Sequence, residues 1–279
     1  MVEDRMIIVG IDIGGTTTDA VAMRDGTIMS IVSVTAGDSV TAAAGALGRL
    51  VEELKMSLSD VNEIAVTGVG SNGLGNKLLG VPVVKVDEFT SIGTGGSFLT
   101  GIRRAIVISM GTGTAFVKVD GEEISHWGGT GMGGGTLLGL SKSMINISNI
   151  KTLTKKAEEG DLNKVDLTVG EIVGGPINGL PEHVTASNFG NISDEANDAD
   201  KALALINLVL QSIGVMAVFS ARANSIPDVV LTGKLTRIPQ AYDIINGVGK
   251  LFGANFYIPE NADYSTAIGA AIHVYKKGL

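Results

Sequence analysis

Near the start of the chain, the stretch GIDIGGTTTDA sets Gly14 and Gly15, then Thr16, Thr17 and Thr18, between two carboxylates, Asp12 and Asp19. Glycine lets a backbone approach an anion closely, and threonine adds hydroxyl donors beside unpaired N–H groups, so such a turn can bind phosphate. Asp12, ending an apolar run, is placed to hold a Mg²⁺ through water, as hard oxygen ligands do. A similar turn recurs at Gly111-Thr112-Gly113-Thr114. Either turn alone is compatible with a plain hairpin; the pair reads as two halves of a phosphate clamp. A third loop, Gly128 to Gly139, carries seven glycines in twelve positions and opens onto TLLGLSKSM. A helix whose first turn follows Gly133-Gly134-Gly135-Thr136 would offer free N–H groups and a favourable dipole to a phosphate. A flexible linker is the alternative, but Trp127 and Met132 among the glycines and the apolar helix beyond them speak against it.

These turns need elements to hold them, and the chain supplies the same set twice. Met6 to Ile13 reads as a strand, Asp19 to Met23 as a second, and TIMSIVSVT as a third after the hairpin signal Asp25-Gly26. From Ala105 the order returns: AIVISM, GTGT, AFVKV, Asp120-Gly121 and EEISHW. In the first half a helix with Leu47, Leu50, Val51 and Leu54 at helical spacing follows, with Asp38 and Ser39 as candidate caps. The strands EIAVTG and VPVVKV come next, then a helix through Ile92 and Leu99. In the second half a long helix precedes DVVLTG, NFYIPE and a terminal helix. Each half reads βββαβαβα, which predicts a duplicated α/β fold of mainly parallel sheets faced by helices. The halves are placed at 1–103 and 104–279, with an insertion at about 127–200.

The totals bound the rest. The 279 residues include 39 glycines, no cysteine and a net charge of -8, with hydrophobic residues at 44%. This is globular composition. The acidic balance without a basic cluster argues against nucleic acid. Zero cysteine removes disulfides, thiolate metal sites and cysteine nucleophiles, and fits a reducing cytoplasm. The early apolar run is too short for a signal peptide and is broken by Asp12. Ala202 to Ala221 runs twenty residues without a charge, long enough to span a membrane. Its polar Asn207, Gln211, Ser212 and Ser220 and its strand-rich surroundings favour a buried core helix in a soluble protein.

The paired glycine turns resemble those of the actin, sugar kinase and Hsp70 superfamily, whose ribonuclease-H-like halves hold ATP in the cleft between them. The motifs ISMGTGT, GGTGMGGGTLLGL, ASNFGN and VDEFTS, in that register over nearly the whole chain, resemble type II pantothenate kinases. The resemblance implies transfer of the γ-phosphoryl of ATP to the primary hydroxyl of pantothenate, with ATP and Mg²⁺ bound, in a homodimer open to feedback by coenzyme A or its thioesters. The first stretch taken alone is equally similar to hydantoinase and acetone carboxylase subunits, which nothing downstream supports. Activator ATPases of the superfamily need cysteines for an iron–sulfur cluster, and this chain has none.

On this resemblance Glu88 of Asp87-Glu88-Phe89 is the catalytic base, at a strand end in the first turn of a helix. Equally, Asp87 or Ser91 could cap that helix, with Glu88 complementing its dipole. Thr112 and Thr114 match hydroxyl positions near the phosphates and the substrate, and Gly134, Gly135, Thr136, Leu137 and Leu138 match the helix-entry ATP loop. Gly233 and Lys234 match the adenosine-side turn, though Lys234 could be an ordinary surface lysine. Ser187 and Asn188, followed by Phe189, match a segment near the pantothenate and coenzyme A pocket. Two positions depart from the pattern. Asp19 stands where the family has a lysine near the phosphates, and His126 stands where it has a substrate-contacting arginine, losing the permanent charge and the fork geometry. Asp19 either points away from the cleft or marks a clamp that works differently. His126 is either in the site or a surface residue without a role. A kinase for another alcohol or sugar, and a nucleotide or coenzyme A sensor without turnover, are the competing readings.

Overall fold

The computed structural model describes residues 6–35 and 37–278; residues 1–5, Ala36 and Leu279 lie outside the described residues. In the first half, β1 (Ile7–Ile13), β2 (Thr18–Arg24) and β3 (Thr27–Val34) form an antiparallel meander. At the β2–β3 turn both Asp25 and Gly26 take positive φ, the type I′ geometry that matches strand twist. Helix α1 (Ser39–Leu54) follows, capped by Asp38, whose side chain accepts from the Thr41 N–H. Then come β4 (Glu63–Thr67), the two-residue β5 (Lys77–Leu78), β6 (Val81–Lys85) and α2 (Glu88–Thr100).

The second half opens with β7 (Arg104–Met110), β8 (Thr114–Asp120) and β9 (Glu123–Thr130). The inserted segment holds α3 (Gly134–Ile145), α4 (Ile150–Ala157), β10 (Leu167–Thr168), α5 (Val169–Val173) and β11 (Thr185–Ser187). Helix α6 (Asp198–Ala223), β12 (Asp228–Thr232), α7 (Ala241–Phe252), β13 (Asn255–Tyr257) and α8 (Ser265–Lys277) complete the chain.

The sheet orders β3-β2-β1-β4-β6-β5 and β13-β12-β7-β8-β9 are one arrangement used twice, with β5 as an added edge. In the second half the order βββαβαβα is complete around the insertion. In the first half it is not: between β4 and β6 the expected helix is replaced by a 3₁₀ turn, Val69–Gly73, and β5. The intervening residues VGSNGLGNKLLG are too short and too rich in glycine and asparagine to sustain helical turns.

Each sheet has an outer helical face. Leu47 and Leu50 of α1 pack beneath Ile11 and Ile64, and Leu205, Ile206 and Leu210 of α6 pack beneath Ile106, Ile108 and Leu231. Helix α6 has the length and apolarity to cross a membrane, yet most of it is buried as the central core helix of the second half. Between the sheets lies one helix pair, and its members are exchanged. Helix α2 places Ile92 against Val107, Val117 and Val119 of the second sheet, while α8 places Ile268 and Ile272 against Ile8, Val21 and Ala65 of the first. The pair approaches closely because glycines line it: a Cβ on Gly95 or Gly269 would overlap the facing helix backbone at Ser265 or Ser91. The halves are thus joined through a shared helical layer, which positions the ends of β1, β4, β7 and β12 around a common cleft.

Candidate active site

Strand β1 delivers Asp12 to the cleft. The antiparallel register sets Asp12 opposite Asp19 on β2, and the parallel register sets it beside Thr67 on β4. Directly opposed residues point to the same face of a sheet, so both carboxylates face the same way. Gly14 N–H donates to the Thr17 carbonyl across the turn at 3.0 Å, leaving Gly15 and Thr16 exposed at its tip. Beside Asp12 runs Gly68, with φ at 85° and ψ at 167°, a backbone that L side chains rarely adopt. A Cβ there would overlap Asp12 Oδ1, so only glycine lets β4 turn beneath the carboxylate.

Glu88 is brought in by α2. Asp87 caps this helix by accepting from the Thr90 N–H at 2.9 Å, and Ser91 Oγ donates to Thr67 Oγ1 at 3.2 Å, tying the first helical turn to the strand beside Asp12. Asp87 therefore takes the capping role and leaves Glu88 free of it. Burial, and then Asp87, raise the Glu88 carboxyl above the usual glutamate range. Asp12 is raised further, to about 7, chiefly by burial and then by the negative charges of Asp19 and Glu88, with Lys234 opposing. The charges of Asp19 and Glu88 thus act on buried Asp12 and favour its protonated form.

The second turn and the third glycine loop interlock. Gly111 N–H donates to Gly113 O, Gly134 N–H to Gly111 O, and Gly135 N–H to Thr112 O, each at 2.9 Å. The free N–H groups expected at the start of α3 are therefore largely engaged by the neighbouring turn, and Thr136 also turns its hydroxyl to Gly131 O. Leu137 is fully buried in the second core, Leu138 is partly buried, and Thr114 donates to Met132 O from a buried position. Thr112 is the exposed hydroxyl of the group. The hydroxyl left exposed at this wall is that of Thr112, and the helix end is engaged by the turn.

Two departures find partners. His126 stacks on Phe89, ring centroids 3.9 Å apart and planes 12° from parallel, so it stands beside Glu88 through the next residue of α2. Its neighbour Trp127 is the extra residue of a β-bulge in β9 and is exposed. Asp19 is buried and accepts from Lys234 Nζ at 2.7 Å, an ion pair between β2 and the 3₁₀ turn Lys234–Arg237 after β12. Lys234 is not an ordinary surface lysine, and Asp19 does not point away. Sequence reasoning also passed over Asp263 and Tyr264, which flank this ammonium, and Arg237, which pairs with Asp263 and lies over the Tyr264 ring.

Ser187 and Asn188 lie apart from these loops. Asn188 Nδ2 donates to Asp166 Oδ2 and Gln211 Oε1, in a network where buried Asp166 also accepts from Asn207 and the Phe189 N–H. Among the described residues no hydrogen bond links them to the cleft. Their neighbours Thr185 and Ala186, with Leu180, Asn207 and Gln211, line a cavity of about 800 Å³ between the insertion and helices α6 and α7; Ser187 and Asn188 themselves do not line it.

A family model described as Fumble matches residues 104–273, more than half of the chain. The chain belongs to the Fumble family. That is the family of the type II pantothenate kinases, in agreement with the motifs quoted above. A Type II pantothenate kinase of Bacillus cereus (strain G9842) is 27% identical over 278 residues, covering 96% of this chain and 98% of the relative. Among solved structures, the Acidaminococcus fermentans (R)-2-hydroxyglutaryl-CoA dehydratase component A matches with a TM-score of 0.69 at 19% identity, over 98% of each chain. A ROK family glucokinase from Streptomyces griseus, in complex with glucose and AMPPNP, matches with a TM-score of 0.61 at 15% identity, over 96% of this chain and 98% of that one. At these identities the structures show the fold alone: this Fumble chain has the actin-like fold of sugar kinases and dehydratase activators.

Proposed function

We propose that the chain is an ATP- and Mg²⁺-dependent kinase that phosphorylates the primary hydroxyl of pantothenate, the first step of coenzyme A synthesis. The observation that carries this reading is the convergence of Asp12, an uncapped Glu88 and two glycine-threonine turns on one cleft, in a member of the Fumble family. The relatives named as type II pantothenate kinases span 96% of this chain.

Asp12 fits a magnesium ion: its carboxylate is a hard donor, buried beside the negative charges of Asp19 and Glu88, which Lys234 only partly balances. Among the described residues no cluster of three or more His, Asp or Glu side chains is arranged for a metal, so Asp12 would act with water and phosphate oxygens as co-ligands. When bound, the ion neutralises charge on the phosphates. Glu88 takes the proton of the acceptor hydroxyl as that oxygen bonds to Pγ; the bond from Pγ to the ADP oxygen breaks, and ADP leaves. Thr112 and the turn backbones orient the phosphates.

The cytoplasm as its compartment and a homodimer as its assembly belong to the same proposal and rest on the resemblance to type II pantothenate kinases alone. The cavity of about 800 Å³ beside Asn207 and Gln211 is roomy enough for the arm of a coenzyme A feedback ligand. The deciding assay follows ADP release with pantothenate, pantetheine, N-acetylglucosamine and no acceptor. Turnover with pantothenate, and none with the sugar, is the expected outcome. Turnover confined to the sugar would make the protein a different kinase of the superfamily. Tight ATP binding with silence on every acceptor would make it a sensor.

A further inference from the structure

Asp19 and Lys234 are 215 positions apart in sequence and belong to different halves, yet their charged atoms lie 2.7 Å apart. Both ends of this pair are built rather than incidental. Asp19 sits opposite Asp12 with its side chain only 8% exposed. The root of Lys234 is fixed by Gly233, whose N–H donates to Ala262 O and whose α-carbon rests on Met110, the residue before the second turn. Leu235 then packs toward Gly134 at the mouth of the third loop. The lysine stem thus starts beside the second turn and the third loop, and its tip ends at Asp19, on β2 just after the first turn.

The ammonium also has an open side. The Lys234 side chain is 32% exposed, the Tyr264 ring lies 4.4 Å from Nζ, and Asp263 stands at 4.0 Å. An ammonium has three N–H donors, and Asp19 uses one at hydrogen-bonding distance. The others remain for an anion entering between the turns.

We propose that Lys234 is the cation that binds the ATP phosphates in this chain, and that Asp19 is the positioning residue that holds it beside the first glycine turn. The proposal rests on the kinase reading above. Asp19 is then no obstacle to phosphate, because its charge is matched by the lysine it holds. Nucleotide binding draws on both halves at once, since the first turn and the lysine that completes it come from opposite sides of the cleft.

The test is calorimetric titration of the full chain with ATP, ADP and AMP in the presence of Mg²⁺. Lys234→Met is expected to weaken ATP by about tenfold or more while leaving AMP within about twofold, because charge-assisted contacts to the outer phosphates are lost and adenosine contacts are kept. Lys234→Asp, which faces Asp19 with a second carboxylate, should weaken ATP by about a hundredfold, and Asp19→Lys added to it should restore most of that loss. Retained AMP affinity shows that each variant is folded. Unchanged ATP affinity in Lys234→Met, equal loss of ATP and AMP, or failure of the double variant to recover would each overturn the assignment of Lys234. A wild-type chain that turns over pantothenate alongside any of these would leave the kinase reading standing. A wild-type chain that binds no adenine nucleotide would remove that reading and this proposal together.

Discussion

Replacing Asp12 by asparagine should make the nucleotide-free protein more stable, by a margin that opens above pH 3.8 and grows to about pH 7. The carboxyl of Asp12 is held at about 7 in the folded chain against an ordinary 3.8, by burial and by Asp19 and Glu88. Below 3.8 the group is neutral in both states and contributes no difference. Between 3.8 and about 7 the unfolded chain releases the proton while the folded chain keeps it, so stability falls as pH rises. The loss is about 1.4 kcal/mol per pH unit, or about 4 kcal/mol at full ionisation. Asparagine keeps the shape and never ionises. In urea unfolding with EDTA present, the advantage of Asp12→Asn over wild type should therefore grow by about 2–3 kcal/mol from pH 5 to pH 8. Titratable groups elsewhere act equally on both proteins and cancel in the difference. Adding excess Mg²⁺ at pH 8 should stabilise wild type and not the variant. An advantage that is flat with pH, or a wild type more stable than the variant at pH 8 in EDTA, would refute the electrostatic account of Asp12.

Glu88→Gln should lower kcat by about a hundredfold or more while leaving ATP affinity unchanged, since a general base is lost and no phosphate contact is. In wild type the acid limb of the pH–rate profile should lie above the ordinary glutamate range, because burial and Asp87 raise this carboxyl and the base must be deprotonated to act; a limb at the ordinary value would place the base elsewhere. Gly68→Ala forces an L side chain into φ of 85° and against Asp12 Oδ1, and should cost about 2–3 kcal/mol in thermal or denaturant unfolding. Gly75→Ala, with nothing within 4 Å of the added methyl, is the control and should change stability by less than about 1 kcal/mol.

The parts of this fold that are legible in the sequence are those written in short range. The two Asp-Gly hairpins, the glycine-threonine turns and the apolar strands declare themselves within a few residues, and their recurrence shows the duplication. The Asp87 cap follows from one residue at one helix end. What failed to read out depends on distant neighbours or on hydrogen-bond accounting. The N–H groups of Gly134 and Gly135 look free in sequence, and only the folded chain shows Gly111 and Thr112 carbonyls against them. Leu137 reads as part of a ligand loop until the core behind it is known. Asn188 resembles a substrate contact, but buried Asp166 claims its amide. The missing helix between β4 and β6 had a local signal in VGSNGLGNKLLG, which the force of the repeat outweighed.

The duplication also explains why the ion pair could not be found by composition. Register makes the halves comparable position by position: Asp12 pairs with Asp19 and Thr67, and Ser109 pairs with Ala115 and Thr232. Both threonines are followed by a glycine of nearly the same conformation, Gly68 at φ 85°, ψ 167° and Gly233 at φ 88°, ψ 174°. The next residue is Val69 in one half and Lys234 in the other. One frame therefore carries different charges in its two copies, carboxylates on the first and an ammonium on the second. Had the copies kept the same side chains, the cleft would hold like charges facing one another or none. With the charges divided, the first half alone contains an acidic pair that burial makes unfavourable, and the second half alone leaves Lys234 only Asp263, 4.0 Å away and already paired with Arg237. The ion pair between Asp19 and Lys234 completes both and binds the halves together across the cleft.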